Sequence, residues 1–532
     1  MKKNKFGNLW ILAAVSGVLL AIPYVFPHCG IVALVAFLPL FAASHTALQQ
    51  KTKHFWICYY SSFLIWNIIA TWWIWYATAA GAVAAIILNS LQMAVIFRIF
   101  RALGKRRQGF LPYLALAFMW CAWEYCYQGW QVSWPWLNLG NSFAQSIKHI
   151  QWYEITGSTG GSLWVLLING LLFNALKNIA ERKPSRYYAL GAILLIAVPS
   201  IASHIRYASL GKQMALQPGR LTKEVVVLQP NIDPYTDKFS GMTQKQQDEI
   251  LLSLAENEVT DSTFLTVAPE TFFNPSLTAG QILENSPSNP TLDSIRNFAA
   301  EKGTNFIFGA VTYRFYHTLE KPTVTARPNG DSWYDVFNTA ISAGSNSSLD
   351  FYHKSKLVIM AETVPYINGK SVFSSLGLDL GGGFGNFGKQ ESRSVFDLGD
   401  GVKAGTAVCY ESVFGNFFRE YILAGANLMT IITNDGWWRN TSGHIQHLHY
   451  ASLRAIETRR YIARSANTGI SAIINLRGDI ISPTPWWEKC AIRGQVFISD
   501  AQTPFVKYGD LVGYLSCWLS LIFLLGYAIR AW

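Results

Sequence analysis

The chain has 532 residues, of which 51% are hydrophobic and only 14% charged, and it carries 20 tryptophans. Such a balance excludes an ordinary soluble enzyme, while the length allows two or more units. The net charge of +11 would suit a nucleic-acid binder, but the position of the basic residues argues otherwise.

Apolar runs of roughly 16–24 residues, enough to cross about 30 Å of hydrocarbon, fall in 1–204 and 511–530. Eight spans are expected, at about 8–26, 30–45, 55–77, 79–98, 111–127, 161–178, 188–204 and 511–529. The first has no small-residue cleavage site after Ile22-Pro23-Tyr24-Val25-Phe26, so it reads as an uncleaved anchor. Residues 205–508 hold 27 basic and 28 acidic side chains, whereas the remainder holds 16 and 4. Apart from Lys148, those 16 sit near the start, at Lys51/Lys53, from Arg98 to Arg107, from Lys177 to Arg186, and at Arg530. Every second loop is therefore basic. That pattern predicts cytoplasmic termini, a multi-pass inner-membrane protein and an external 205–508 domain facing the periplasm. No nucleic-acid partner is expected. The loop 130–160, with Trp130, Trp134 and Trp136, reads as an anchor at the membrane edge.

Residues 1–204 form the expected membrane domain, 205–224 a linker, 225–508 an α/β domain and 509–532 the last helix. Strand-like runs occur at 225–229, 263–268, 305–311, 335–342, 403–408, 428–433, 471–475 and 494–498. Helix-like stretches occupy 242–258, 291–301, 412–424 and 444–465. The spacing Gly383-x-Gly385-x-x-Gly388 follows no strand and opens no helix, so a mobile Gly/Phe-rich loop over 377–388 is expected instead of a dinucleotide site. Its Phe384 and Phe387, and Tyr235 in the loop after the first strand, are candidate lipid contacts.

Of the seven cysteines, only Cys409 and Cys490 lie in the α/β domain. A disulfide between them is one reading. Cys409, however, ends the run Ala404–Val408 at a strand-to-helix turn, where helix N-termini favour a thiolate and Ser412 can cap the next helix. Glu270 ends another apolar run, and a carboxyl beside apolar surface should have a raised pKa that suits a general base. Lys354 and Lys356 both follow a strand-like run, and pattern alone does not choose between them. Glu362 can hold the lysine in place. His444, His447 and His449 lack the partners of a metal site and read as a polar helix face. A thiol, a carboxylate and an ammonium at strand ends make a set capable of acyl transfer.

Pro269-Glu270, Tyr352-His353-Lys354-Ser355-Lys356-Leu357-Val358, Cys409-Tyr410-Glu411 and Asn434-Asp435-Gly436-Trp437 occur in this order. They resemble the nitrilase, or carbon–nitrogen hydrolase, superfamily, and with the spans they resemble its apolipoprotein N-acyltransferase family. The run Gln446-His447 to Arg454-Ala455-Ile456-Glu457 and Ala466-Asn467-Thr468-Gly469 is similar too. The resemblance implies an αββα sandwich and a Glu270–Lys354–Cys409 triad, with Lys354 rather than Lys356. It implies supporting roles for Glu362, Tyr410 and Glu411. It also implies acyl transfer from a phospholipid to the diacylglyceryl-cysteine of apolipoproteins, through a cysteine thioester and with no cofactor. Ile359-Met360-Ala361-Glu362-Thr363-Val364-Pro365 departs from that family's P-F-G-E-x-V-P, which leaves the local loop shape open. The alternatives are a membrane-tethered amidase of the nitrilase type and a non-catalytic lipoprotein-assembly factor.

Overall fold

The computed structural model describes residues 3–216, 221–273, 282–283, 289–346, 348–364, 366–367, 370–371 and 386–529. The chain divides into two units, one drawn from 1–75, 79–216 and 503–532, the other from 76–78 and 217–502.

The first unit is helical. Helices Lys3–Val25, Leu38–Gln49, Trp56–Thr71, Ala79–Arg106, Leu111–Tyr127, Tyr153–Ala180, Arg186–Leu216 and Leu511–Ala528 fall over the eight expected runs. Among the described residues, six segments have the length and hydropathy of a membrane crossing; Trp56–Thr71 and Leu111–Tyr127, at 16 and 17 residues, are shorter than these. The second segment is broken, because Gly30–Leu34 is a 3-10 turn ahead of Leu38–Gln49. Asn169 repairs the break by accepting from Phe37 N at 2.9 Å and donating to Ala33 O at 2.8 Å. Backbone groups freed inside hydrocarbon need such a partner. The core is aromatic, with Phe63 and Trp66 each in ring contact with Trp120.

Two expectations are corrected in this unit. Residues 205–216 continue the helix Arg186–Leu216 and are not linker; the helix runs on through Pro199 and Gly211. Trp136 is buried at 1% exposure, with its ring 5.0 Å from Trp73 and 5.3 Å from Trp134. It packs the interior of the loop, whereas Trp130 is exposed.

The second unit contains two main sheets. In the first, Cys490–Phe497, Thr222–Gln229, Thr263–Val267, Asn305–Tyr316 and Ser332–Ala343 lie side by side, with Leu349–His353 also paired to Ser332–Ala343. The second runs Phe396–Asp397, Lys403–Val408, Leu428–Thr433, Ile462–Ala466, Ala472–Ile474. Thr222–Gln229 touches Ile462–Ala466 across the gap between the sheets. Helices Gln244–Glu258 and Pro290–Lys302 cover the first sheet, and Gly415–Leu423 and Ser442–Thr458 cover the second. This is an αββα sandwich. Local signals start its helices: Thr243 and Gln246 form a capping box, and Asn289 caps a helix whose first residue is Pro290. Leu428–Thr433 is buried at all six residues, as a parallel strand covered on both faces must be.

The stretch expected as a helix over 444–465 is instead helix Ser442–Thr458 followed by strand Ile462–Ala466. Arg459, at φ 51°, ends the helix in the left-handed region, and pairing with Leu428–Thr433 then claims residues with no strong strand preference. Ser412 is not a helix cap. It lies in the 3-10 turn Cys409–Val413, and Phe414 precedes the next helix without a side-chain cap.

Candidate active site

Three parallel strands deliver the site at their carboxyl ends, where α/β crevices form. Glu270 follows Thr263–Val267, Cys409 follows Lys403–Val408, and Asp435 follows Leu428–Thr433; Lys354 follows the antiparallel strand Leu349–His353. A close approach shapes the glutamate loop. A Cβ on Gly309 would lie 2.6 Å from Glu270 Cα and 2.5 Å from Thr271 N, so only glycine fits beneath it.

Lys354 is buried at 1% exposure, and its Nζ donates to Glu270 Oε1 at 2.8 Å and to Glu362 Oε1 at 3.0 Å. Asn338 Nδ2 donates to the same two carboxylates, at 2.8 and 2.7 Å. Burial opposes the Lys354 ammonium, but Glu270 and Glu362 outweigh it and hold the group well above its ordinary pKa. Burial likewise pushes the Glu270 carboxyl up, yet Lys354, Asn338 and Lys238 bring it below the usual glutamate value. The expected rise is thus reversed, because a desolvated carboxylate 2.8 Å from an ammonium is stabilised in its charged form. Lys356 faces elsewhere, 5.0 Å from the Phe414 ring centroid and 5.9 Å from that of Phe417. Glu362 Oε2 accepts from Val358 N at 2.8 Å. This bond closes the turn 358–363, in which Met360 takes φ 67°.

Cys409 is buried and adopts φ 51°. Burial first, and then the charge of Glu270, raises its thiol far above the ordinary range; Lys354 offsets this only in part. The resting group is a thiol and not the thiolate expected from nearby helix ends, because desolvation outweighs them. Cys409 and Cys490 are both free.

Beneath Cys409 lies a second buried set that the sequence reading missed. His447, fully buried, places Nε2 3.1 Å from Cys409 O and 2.9 Å from Ser412 Oγ, while its Nδ1 is 2.9 Å from Asp435 Oδ1. Arg464 donates to Asp435 Oδ2 at 2.5 Å. Burial opposes the Asp435 charge, but Arg464 and His447 hold its carboxyl well below the usual range. His447 is therefore not part of a solvated helix face. Only its place in the Gln446-His447 and Asn434-Asp435 runs could have drawn attention to it.

Lys238 was missed as well. It is 4% exposed, and its Nζ donates to Glu270 O and Thr271 Oγ1, each at 3.1 Å. Burial lowers its pKa to about 8, against the pull of Glu270 and Cys409.

The remaining candidates divide. Tyr410 is buried edge-on to Phe414, with ring centroids 5.0 Å apart. Glu411 is fully buried, and burial raises its pKa. It accepts from Val408 N at 2.8 Å, Tyr421 Oη at 3.0 Å, Tyr352 Oη at 2.9 Å and Ser355 N at 2.6 Å. It ties the cysteine turn to the lysine segment. Tyr235 is exposed, donates to Trp437 O at 2.7 Å, and rims a cavity of about 420 Å³ with Arg439, Trp486 and Trp487. Phe384 and most of the 377–388 loop lie outside the described residues. Phe387 is buried against Val311, Tyr313 and Val336, so it packs protein and does not face lipid.

The family model for carbon–nitrogen hydrolases matches residues 212–503, and the chain belongs to that family. Residues 16–171 match the apolipoprotein N-acyltransferase N-terminal domain, and the curated relatives are apolipoprotein N-acyltransferases. That of Chlorobaculum tepidum is 27% identical over 533 residues, covering 98% of this chain and 97% of the relative. That of Geobacter metallireducens is 26% identical over 514 residues, covering 95% and 92%. Among solved structures, Saccharomyces cerevisiae Nit3, a member of branch 10 of the nitrilase superfamily, is 15% identical. It covers 52% of this chain and 90% of its own, at a TM-score of 0.37.

Proposed function

We propose that this protein N-acylates lipoproteins at a membrane, moving a fatty acyl chain from a phospholipid to the α-amine of a diacylglyceryl-cysteine. The observation that carries the chemistry is Lys354 Nζ, buried between Glu270 and Glu362 and acting electrostatically on Cys409. Full-length similarity to apolipoprotein N-acyltransferases and the six apolar helices support the substrate class.

In the first half-reaction the Cys409 thiol gives its proton to Glu270, and sulfur attacks the phospholipid ester carbonyl. Lys354 stabilises the oxyanion, and the ester oxygen leaves with the proton from Glu270 as a lysophospholipid. In the second, the lipoprotein amine attacks the thioester and gives up a proton to Glu270 as the amide forms. The sulfur leaves as a thiolate and recovers a proton by way of Glu270. The low pKa of Glu270 keeps it ionised and able to accept, and the high pKa of the thiol keeps Cys409 protonated at rest, so that proton transfer accompanies attack on the ester. Alternating basic loops support cytoplasmic termini and a periplasmic site, which a reporter after Lys183 (cytoplasmic) and another near Gln246 (periplasmic) would test.

Intact mass spectrometry of the full chain with phospholipid should show one acyl adduct on Cys409, discharged by a diacylglyceryl-cysteine peptide. Glu270→Gln should slow adduct formation roughly 10²–10⁴-fold. Hydrolysis of a small amide with no acyl adduct would instead identify an amidase.

A further inference from the structure

The membrane unit contains a cavity of about 920 Å³ that the acyl-transfer chemistry does not use. It lies among the ends of helices Leu38–Gln49, Trp56–Thr71, Ala79–Arg106, Leu111–Tyr127 and Tyr153–Ala180. Among the described residues, eight lysines and arginines line it against one carboxylate, Glu181, which is itself paired with Lys183 at 2.7 Å.

Topology alone does not account for this arrangement. A positive-inside bias asks only that charges sit in a loop. Here Arg98 and Arg101 belong to the helix Ala79–Arg106, and both reach the same cavity as Lys53 and Lys177 from other segments. The Arg101 guanidinium carbon lies 4.3 Å from the Phe55 ring centroid. Its Nε is buried and makes no hydrogen bond among the described residues. Like charges gathered around a half-buried space repel one another unless an anion joins them. Arginine set against an aromatic face retains donors suited to phosphate oxygens. Basic pockets between membrane helices have the character of phospholipid headgroup sites.

We propose that this cavity binds phosphate, with Arg98, Arg101 and Lys53 holding the anionic group of a phospholipid headgroup or of free inorganic phosphate. This proposal does not depend on the acyl-transfer reading.

The test uses the full chain in detergent with Cys409→Ala, so that no acyl group is transferred. Native mass spectrometry would compare phosphatidylglycerol with phosphatidylcholine of the same chains, and calorimetry would titrate inorganic phosphate. Preferential retention of phosphatidylglycerol, reduced at least about tenfold by Arg98→Gln with Arg101→Gln, identifies a lipid headgroup as the source. Phosphate binding lost in the same variant, with no lipid preference, identifies free phosphate. If the double variant unfolds, Lys53→Gln, on an exposed loop, should give a smaller loss in the same direction. Equal retention of both lipids with no phosphate binding, or binding indifferent to all these substitutions, overturns the proposal.

Discussion

Two buried charge clusters flank Cys409, and they differ in what they can do. One gathers Lys354, Glu270, Glu362 and Lys238, two cations and two carboxylates, and it acts on the thiol. The other links Arg464, Asp435 and His447 to the carbonyl of Cys409 and the hydroxyl of Ser412. The first holds the groups that can exchange a proton with sulfur. The second holds the backbone of a non-glycine residue at φ 51°, a conformation that costs on the order of 1–3 kcal/mol and persists only when its surroundings fix it. Buried charge thus serves proton transfer in one case and geometry in the other, depending on whether side chain or main chain is the target.

The largest effect should come from Lys354→Met. It removes the oxyanion's cation and leaves the buried Glu270 and half-buried Glu362 without the ammonium that bridges them. No acyl adduct should form, and stability should fall by about 3–5 kcal/mol in chemical denaturation. A full adduct on this variant would assign the cation's role to another residue.

His447→Ala should act through position alone. Adduct formation should slow on the order of 10–100-fold, the usual result of a small misplacement of the nucleophile. The pH dependence of the remaining rate should match that of the unsubstituted protein. A shifted pH profile would move His447 into the proton-transferring cluster and end the distinction drawn above.

Lys238 provides the pH test of the first cluster. As pH climbs through about 8, Lys238 gives up its proton, the cluster gains net negative charge, and the rate of adduct formation should decline. Lys238→Arg should carry that limb to higher pH, and Lys238→Met should be slow across the range. The linkage to stability has a definite sign. The folded pKa lies below the ordinary lysine value of 10.5, so between about 8 and 10.5 the unfolded chain binds more protons. This group's contribution therefore favours the folded state increasingly as pH rises through that window. A declining limb that survives Lys238→Arg unchanged would remove Lys238 from the cluster.

The smallest effect specific to activity should come from Phe387→Ser. Its ring fills a cluster with Val311, Tyr313 and Val336, so it should cost about 3 kcal/mol of stability and lower activity only in proportion. Activity lost while the melting temperature holds would restore the lipid-facing lid expected from its Gly/Phe-rich setting.

Local order along the chain fixed a good deal. Apolar run length located the helices of the membrane unit, and alternating runs located most strands of the sandwich, because burial in lipid or in a sheet leaves a periodic trace. Pro269-Glu270, Tyr352-x-Lys354 and Cys409-Tyr410-Glu411 pointed to residues of the candidate site, since each lies in a short run at a strand end. Tertiary structure alone decided the rest. Glu270 acquires a lowered pKa from a lysine 84 positions away, and Lys354 is separated from Lys356 by which side chain meets the carboxylates. Glu411 becomes a tie because Tyr352 and Ser355, from the distant lysine segment, donate to it beside its neighbours Val408 and Tyr421, and His447 leaves the solvated face because Asp435 and Cys409 are packed against it. Periodicity records whether a residue is buried; it carries no information about which charge is buried beside it, and that neighbour sets the chemistry.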